Sequence, residues 1–242
     1  MAKTLTRSLT ITALAGVMAA SLGLPALAQA ARVSWSPAYQ GACEACRLEG
    51  KQMAGWELTG ASYEGANLTG ANLARVKADQ ARFTGARASD AVLSGASLAQ
   101  ADFTSAHLDR AVFLRTNANG ANLTGASLRE ARLEGSSWIG ATMAGADLSK
   151  SRASSAVFAS ANLTGARLVE SQLKSCVFDG ANLTGASLAG ANIQAASFLD
   201  ARLAGADFSR VSGHESARFE GACATEASIL PSGLDLPPCP VQ

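Results

Sequence analysis

Five cysteines and two histidines are the residues of this 242-residue sequence whose types and spacing could support chemistry. Cys43 and Cys46 form a C-x-x-C motif, and Cys223 and Cys239 lie near the C-terminus. Such pairs could bind zinc, exchange electrons with another dithiol or form disulfides, and C-x-x-C followed by His would attach haem. Haem attachment is excluded because Arg47 follows the motif. A redox-active motif normally lies in a βαβ unit, and no such pattern surrounds this one.

The histidines do not suggest catalysis. Neither His107 nor His214 has a neighbouring nucleophile or carboxylate arrangement that is typical of a catalytic site. The sequence also contains no phosphate-binding loop, metal triad or G-x-S-x-G motif. We therefore expect a protein that is not an enzyme, with no catalytic residue, bound metal or cofactor.

The first 30 residues have the pattern of a secretory signal peptide. Lys3 and Arg7 precede an apolar centre at 11–24, and Pro25 is followed by the small residues of "ALAQA". This order is typical of a cleaved signal with an A-x-A site. The alternative is a retained membrane anchor, because the uncharged stretch at 8–30 is just long enough to span a bilayer. We expect cleavage, a periplasmic or secreted protein, and no stable membrane insertion.

Disulfides are the expected state of cysteines in an exported protein. We expect local pairs, Cys43 with Cys46 and Cys223 with Cys239. The second pair would close a 17-residue loop, which contributes about 3 kcal/mol if the bond is unstrained. Each pair would stabilise one end of the chain.

The charge balance predicts that nucleic acid is not a partner. Residues 1–30 hold two of the 20 Lys and Arg and none of the 19 Asp and Glu, so their removal leaves 18 cations against 19 anions. A nearly neutral chain predicts no surface for a polyanion.

The chain repeats itself every five residues. Residues 46–210 divide into 33 consecutive pentapeptides, of which "ANLTG" is the most frequent form. The first position is Ala in 24 units, and the third is Leu in 17 and Phe in seven. A helix would spread these apolar positions around its surface, because five residues advance it by about 500°. In extended backbone the first and third side chains point to the same side.

Each pentapeptide is therefore interpreted as a very short strand followed by a turn. Gly occupies the fifth position in 17 units, where it can take positive φ. Asn, Asp, Ser and Thr beside the central residue can bond to the nearby backbone. Repeated turns wind the chain into coils that stack at roughly 4.8 Å. The pattern predicts a β-solenoid.

The run "GANLTGASLAGANI" at 180–193 resembles the A(D/N)LXX signature of pentapeptide-repeat proteins. The resemblance covers residues 46–210, about two-thirds of the chain. It implies an all-β fold, a right-handed quadrilateral parallel β-helix with four pentapeptides per coil and about eight coils.

The expected organisation has four parts: a signal peptide at 1–30, an N-terminal linker and cap at 31–45, the β-helix at 46–210, and a C-terminal cap with a Pro-rich tail at 211–242. The register slips by one residue near "SGHES", and "ARF" at 217–219 predicts one more partial turn. The tail contains four of the six prolines and is expected to end the ladder. Eight coils would separate the two cysteine pairs by about 40 Å, too far for one zinc site.

Central residues 20 apart are expected to stack inside the solenoid. One such column contains four aromatic residues, interpreted as core packing: Trp138, Phe158, Phe178 and Phe198. Cys176 occupies a small inward position and is expected to be a buried free thiol.

The outward positions differ from face to face. The face around 63–203 is rich in Asn and Thr, and the face around 48–208 carries charges of both signs, which favours a solvated surface. The face around 58–198 places four apolar residues at outward positions: Ile139, Val157, Val177 and Leu199. An exposed apolar stripe predicts a protein partner, either an unidentified protein or a second copy of the chain. Tolerated β-branched residues on a pleated surface are the alternative.

Three functions are compatible with these features. The favoured one is a non-catalytic scaffold of the cell envelope, a rigid rod that presents flat walls to a partner. The resemblance implies a second, since some pentapeptide-repeat proteins mimic DNA and inhibit type II topoisomerases; this would require a cytoplasmic location and an acidic face. A third is binding of a polysaccharide or other ligand along the Asn/Thr wall.

Overall fold

The structure, a computed structural model, describes residues 43–240. The expected signal peptide at 1–30 and most of the expected cap at 31–45 lie outside these residues. Within 43–240 the one helix is a short 3₁₀ turn, His214–Ser216. The rest consists of isolated parallel β-bridges joined by turns. No helix among the described residues has the length and apolarity to cross a membrane.

Parallel bridges join residues 20 positions apart along the repeat. The column that begins at Arg47 reaches Asp207 in eight such steps, and three further columns begin at Gln52, Glu57 and Ser62. The four columns give each coil four sides. Every bridge uses the second residue of a unit: Asn67, for example, donates its N–H to Cys46 and accepts the N–H of Leu48. The chain is therefore a four-sided parallel β-solenoid over the repeat.

The second residue of many units also completes the hydrogen bonding of the turn. The Oδ1 of Asn162 accepts the backbone N–H of Thr164 at 3.1 Å and its hydroxyl at 2.7 Å. In other units the backbone N–H of the fourth residue donates to an acidic or amide side chain one coil earlier. Asp79, for example, accepts the N–H of Ala99 at 2.8 Å. An N–H left without a partner would be costly. The Asn and Asp of the repeat are thus explained by the turn that follows them.

Every fifth residue of the 33 units has positive φ, whether or not it is glycine. Seventeen of these positions are Gly, and the other 16 hold residues such as Arg115 (φ 53°) and Ser155 (φ 59°). The turn closes where the first N–H of the next unit donates to the third C=O, as from Ala61 to Leu58 at 2.9 Å. The stacked coils therefore impose the left-handed conformation on side chains that disfavour it.

The first and third residues of the units fill the core. Leu, Phe and Ala at these positions are almost completely buried, and the rings stack in two runs. Tyr63, Phe83 and Phe103 form the first, with centroids 5.6 and 4.7 Å apart. The second run is Phe158, Phe178, Phe198 and Phe219, at 5.0–5.1 Å. Trp138, at the head of the predicted column, instead meets Phe113 edge-on at 5.4 Å.

Contacts of the repeat type begin at Cys43, within the segment expected to form the N-terminal cap. Cys43 donates its N–H to the C=O of Ser62, and Ala45 has φ 53° and donates to Glu64. These are the contacts of the third and fifth residues of a repeat unit. The sequence concealed this unit because its central residue is a cysteine, which is rare at that position.

The C-terminal end continues the solenoid with a shifted register. The 3₁₀ turn at 214–216 adds one residue, so that Ser197 pairs with Arg218, and Phe219 stacks on Phe198 as the pattern at 217–219 predicted. The expectation that the Pro-rich tail cannot continue a ladder is wrong at one point, because Ala224 forms a parallel bridge with Pro238. The bonds run from Ala224 to Pro237 and from Cys239 to Ala224, so the missing N–H of Pro238 is not needed.

Candidate interaction surfaces

Each side of the solenoid is a wall built from every fourth pentapeptide. Wall 1 comprises the units from 46–50 to 206–210, wall 2 those from 51–55 to 191–195, wall 3 those from 56–60 to 196–200, and wall 4 those from 61–65 to 201–205, each at 20-residue intervals. The second, fourth and fifth residues of each unit face outward or form the corner. Any function of the repeat must use these positions.

Wall 3 contains the four apolar residues that the sequence pointed to. Val157 and Val177 form a parallel bridge and are half-buried, so they lie side by side on adjacent coils. Ile139 is 45% exposed, one of two large hydrophobic residues with this degree of exposure among the described residues. Leu199 is half-buried and three coils away from Ile139, with Asp179 in the same column between them. Ile139 and Leu199 therefore flank the bridged valines, each one coil away on opposite sides, and a carboxylate lies between Ile139 and Leu199 in their own column.

Wall 4 presents its Asn and Thr side chains mainly to one another. The Oδ1 atoms of Asn122, Asn162 and Asn182 each accept both the backbone N–H and the hydroxyl of the Thr two residues later, at 2.6–3.1 Å. The Oδ1 acceptors of these asparagines and the hydroxyl protons of these threonines are thus used within the turns. Wall 4 is an ordered polar surface, as those turns require.

Wall 1 is charged but locally neutral. Each of its charged units holds one cation and one anion, for a total of seven of each. Arg110 donates to both oxygens of Asp90, at 2.8 and 2.7 Å, and these hydrogen bonds lower the pKa of that carboxyl. Asp147 lies between Arg129 and Arg167, at 3.9 and 3.8 Å. Exposed pairs of this kind contribute little to stability, and they leave wall 1 without a net field.

The cysteines form the two disulfides expected from the sequence, Cys43–Cys46 and Cys223–Cys239, with Cα atoms 5.4 and 4.7 Å apart. The first spans the turn of the N-terminal unit, and the second ties the tail to the last coils. Cys176 is a buried free thiol whose Sγ lies 2.9 Å from the C=O of Ala153. Burial raises the pKa of Cys176 to about 12, which keeps it protonated and unreactive.

The other candidate groups remain scattered. His107 is exposed on wall 1, and the Nδ1 of His214 lies 3.5 Å from Glu215 in the 3₁₀ turn. No cluster of three or more His, Cys, Asp or Glu side chains that could hold a metal occurs among residues 43–240.

The excess of positive charge on wall 2 was not predicted from the sequence. The net charge of the chain is near zero, but sorting the charges by wall gives wall 2 six cations and one anion, wall 3 one cation and four anions, and wall 4 two of each. The cations of wall 2 are Lys51, Arg75, Arg115, Arg132, Arg152 and Lys174, and its anion is Glu134. The 20-residue register would have revealed this asymmetry, because it places these residues on one side.

These features define a four-walled parallel β-solenoid of stacked pentapeptides, a class built to present surfaces rather than to enclose a pocket. The family profile of Pentapeptide repeats matches in eight copies, at residues 57–87, 89–125, 126–165, 139–174 and 171–210. The chain belongs to the pentapeptide-repeat family.

Solved structures include similar folds. QnrB1, a plasmid-mediated fluoroquinolone resistance protein, aligns in a trypsin-treated form with TM-score 0.56 and 19% identity, over 70% of this chain and 90% of that one. Its full-length form gives TM-score 0.53 and 19% identity over 76% and 94%. HetL, a pentapeptide repeat protein involved in heterocyst differentiation regulation in the cyanobacterium Nostoc sp. strain PCC 7120, is 25% identical over 79% and 92%, with TM-score 0.38. No curated protein gives a significant match.

Proposed function

We propose that the chain is a non-catalytic scaffold of the cell envelope, a rigid rod whose wall 3 binds a protein partner. The observation that carries this proposal is the bridged pair Val157 and Val177 beside the exposed Ile139. Apolar residues that lie together at outward positions indicate an interface. The chain belongs to the pentapeptide-repeat family, whose members are typically structural or interaction proteins.

The charge pattern of wall 3 supports the same surface. The four consecutive units at 96–100, 116–120, 136–140 and 156–160 contain no charged residue. A partner that covers this stretch would not have to desolvate an ionised group, which is the main cost of burying a polar surface. The carboxylates of the wall, among them Glu57 and Asp200, lie towards its two ends, where they can form a polar rim.

Export is part of the proposal. The pattern of residues 1–30 predicts export, and the two disulfides are the state expected of cysteines outside the cytoplasm.

We further infer a right-handed solenoid of about eight coils, the winding that the family resemblance implies. The eight 20-residue steps from Arg47 to Asp207 support the number of coils.

The topoisomerase alternative receives less support from the surface. Wall 3 is the most acidic wall, but its net charge is only −3 and its central four units are uncharged. A DNA mimic requires a continuous acidic face, and none of the four walls of the repeat provides one.

Site-specific photo-cross-linking in cells tests the proposal. A photoreactive residue at Ile139 should give a discrete protein adduct in the envelope fraction, and one at Ala144, the same unit position on wall 4, should not. Val157→Ser with Val177→Ser should abolish the adduct. Thr142→Ser with Asn162→Ser, a bridged pair on wall 4, is the control and should leave it intact. Absence of an adduct at Ile139, or its survival in the wall 3 variant, would overturn the proposal.

A further inference from the structure

Wall 2 has a net charge of +5, against 0 for walls 1 and 4 and −3 for wall 3. We propose that wall 2 is a docking surface for the face of an anionic phospholipid bilayer, on which the rod lies flat. This inference concerns a different wall and a different kind of partner from the proposed function.

The cations of wall 2 are unusual in having few carboxylate partners. Arg75, Arg115 and Lys174 are exposed, and none of them forms an ion pair within residues 43–240. Arg132 and Arg152 face each other in a parallel bridge and share the single carboxylate oxygen Oε1 of Glu134, at 3.5 and 3.4 Å. Wall 1 neutralises its cations unit by unit, whereas wall 2 leaves most of its positive charge available to an external anion.

The positive charge lies along one plane. Arg75 and Lys174 are five coils apart, or about 24 Å at the usual spacing of β-strands. Between them lie half-buried apolar side chains, including the bridged pair Val92 and Val112 and the nearby Leu114. The result is a flat strip in which guanidinium groups alternate with small apolar areas. Basic side chains near an anionic leaflet each add to binding, and the apolar areas add the burial of hydrocarbon.

The shape of the wall favours a membrane over other anions. A duplex nucleic acid is a cylinder and would touch a flat wall along one line, with most of the cations out of reach of its phosphates. A polymer that wrapped around the rod would next meet wall 1, which is neutral, or wall 3, whose net charge is −3. A bilayer surface is flat and can contact all of wall 2 at once. Wall 3 would remain accessible to its protein partner in this orientation.

Vesicle sedimentation with the purified, disulfide-intact protein tests the inference. The probes are vesicles of phosphatidylcholine alone and vesicles of phosphatidylcholine with phosphatidylglycerol in equal parts. We expect binding to the anionic vesicles only, with an affinity that falls as salt is added. The triple variant Arg75→Gln, Arg115→Gln and Lys174→Gln should weaken this binding by about a hundredfold, from the usual contribution of a basic residue near an anionic leaflet.

The matched control removes the same charge from wall 1. Arg87→Gln, Arg129→Gln and Arg167→Gln should leave vesicle affinity within about twofold of wild type, because wall 1 does not face the bilayer. A second variant, Arg75→Gly with Arg115→Gly, guards against misfolding, because glycine is the usual residue at these left-handed positions. Equal losses from both walls, equal binding to neutral vesicles, or preference for a duplex oligonucleotide over vesicles would each overturn the inference. Cross-linking at Ile139 is independent of all these outcomes.

Discussion

The indole Nε1 of Trp138 donates a hydrogen bond to the Oγ of Ser136, 2.6 Å away, inside the core of the solenoid. Both side chains are buried, and the Ser136 hydroxyl in turn donates to the C=O of Leu133. Trp138 is the largest fully buried side chain among the described residues. Its polar atom is thus satisfied by a serine where the repeat usually has alanine.

Ser136→Ala should therefore destabilise the protein although alanine is the common residue there. The substitution leaves a buried N–H without a partner, which costs about 1–3 kcal/mol. Ser151→Ala is the matched control, since the Ser151 hydroxyl is buried without a hydrogen-bond partner in the structure. Chemical denaturation should show a loss for Ser136→Ala and no loss, or a gain, for Ser151→Ala. Equal effects would show that the indole bond does not matter.

The left-handed fifth positions predict opposite effects of glycine and alanine. Gly145 has φ 66°, and a Cβ there would meet no atom within 4 Å, so Gly145→Ala tests backbone conformation alone. It should lower stability by about 1 kcal/mol. Ser155→Gly removes the same strain and should be neutral or slightly stabilising, because glycine also loses more backbone entropy on folding. Thermal unfolding of both variants checks this, and a stabilised Gly145→Ala would refute it.

Asp102 predicts sensitivity to acid. Burial raises the pKa of Asp102. Hydrogen bonds from the hydroxyl and backbone N–H of Thr104 and from the hydroxyl of Thr84 lower it by more than burial raises it, so the pKa lies below its usual value. A folded-state pKa below the unfolded value stabilises the protein above the unfolded pKa, and this stability is lost as the pH falls through the folded pKa. The loss should therefore begin below about pH 4.

Two substitutions isolate the contribution of the turn carboxylate to stability in acid. Asp102→Asn keeps the acceptor oxygen without the charge and should flatten the acid limb of unfolding free energy against pH. Asn162→Asp should steepen it, because the Oδ1 of Asn162 accepts the same two hydrogen bonds from Thr164 and its bridge partners Thr142 and Asn182 are uncharged. If neither variant alters the pH dependence, the turn carboxylate does not set acid stability.

Cys176 should be inert in the folded protein. Burial raises its pKa to about 12, and the other four cysteines are in disulfides. A thiol reagent at neutral pH should therefore modify no cysteine in the native protein and one after unfolding without reductant. Rapid modification of the native protein would mean that the core around Cys176 opens readily.

The repeat made most of the fold predictable, and the exceptions have physical reasons. Periodicity identified the inward residues, and the shifted pattern around Phe219 followed from it. The repeat unit centred on Cys43 was missed because cysteine is rare at the third position of the repeat. The bridge of Pro238 was missed because its hydrogen bonds use the neighbouring residues. The charge of wall 2 was overlooked because net charge averages over all four walls, although the register alone would have separated them.

The intact mass of the protein from separated cell fractions, measured without reductant, tests the proposed envelope scaffold most directly. We expect a chain that begins near Gln29 or Ala31, recovered from the envelope or the medium. Its mass should be four hydrogen atoms below that of the reduced chain, two for each disulfide. A full-length, fully reduced chain in the cytoplasm would show that the protein is not exported and cannot be an envelope scaffold.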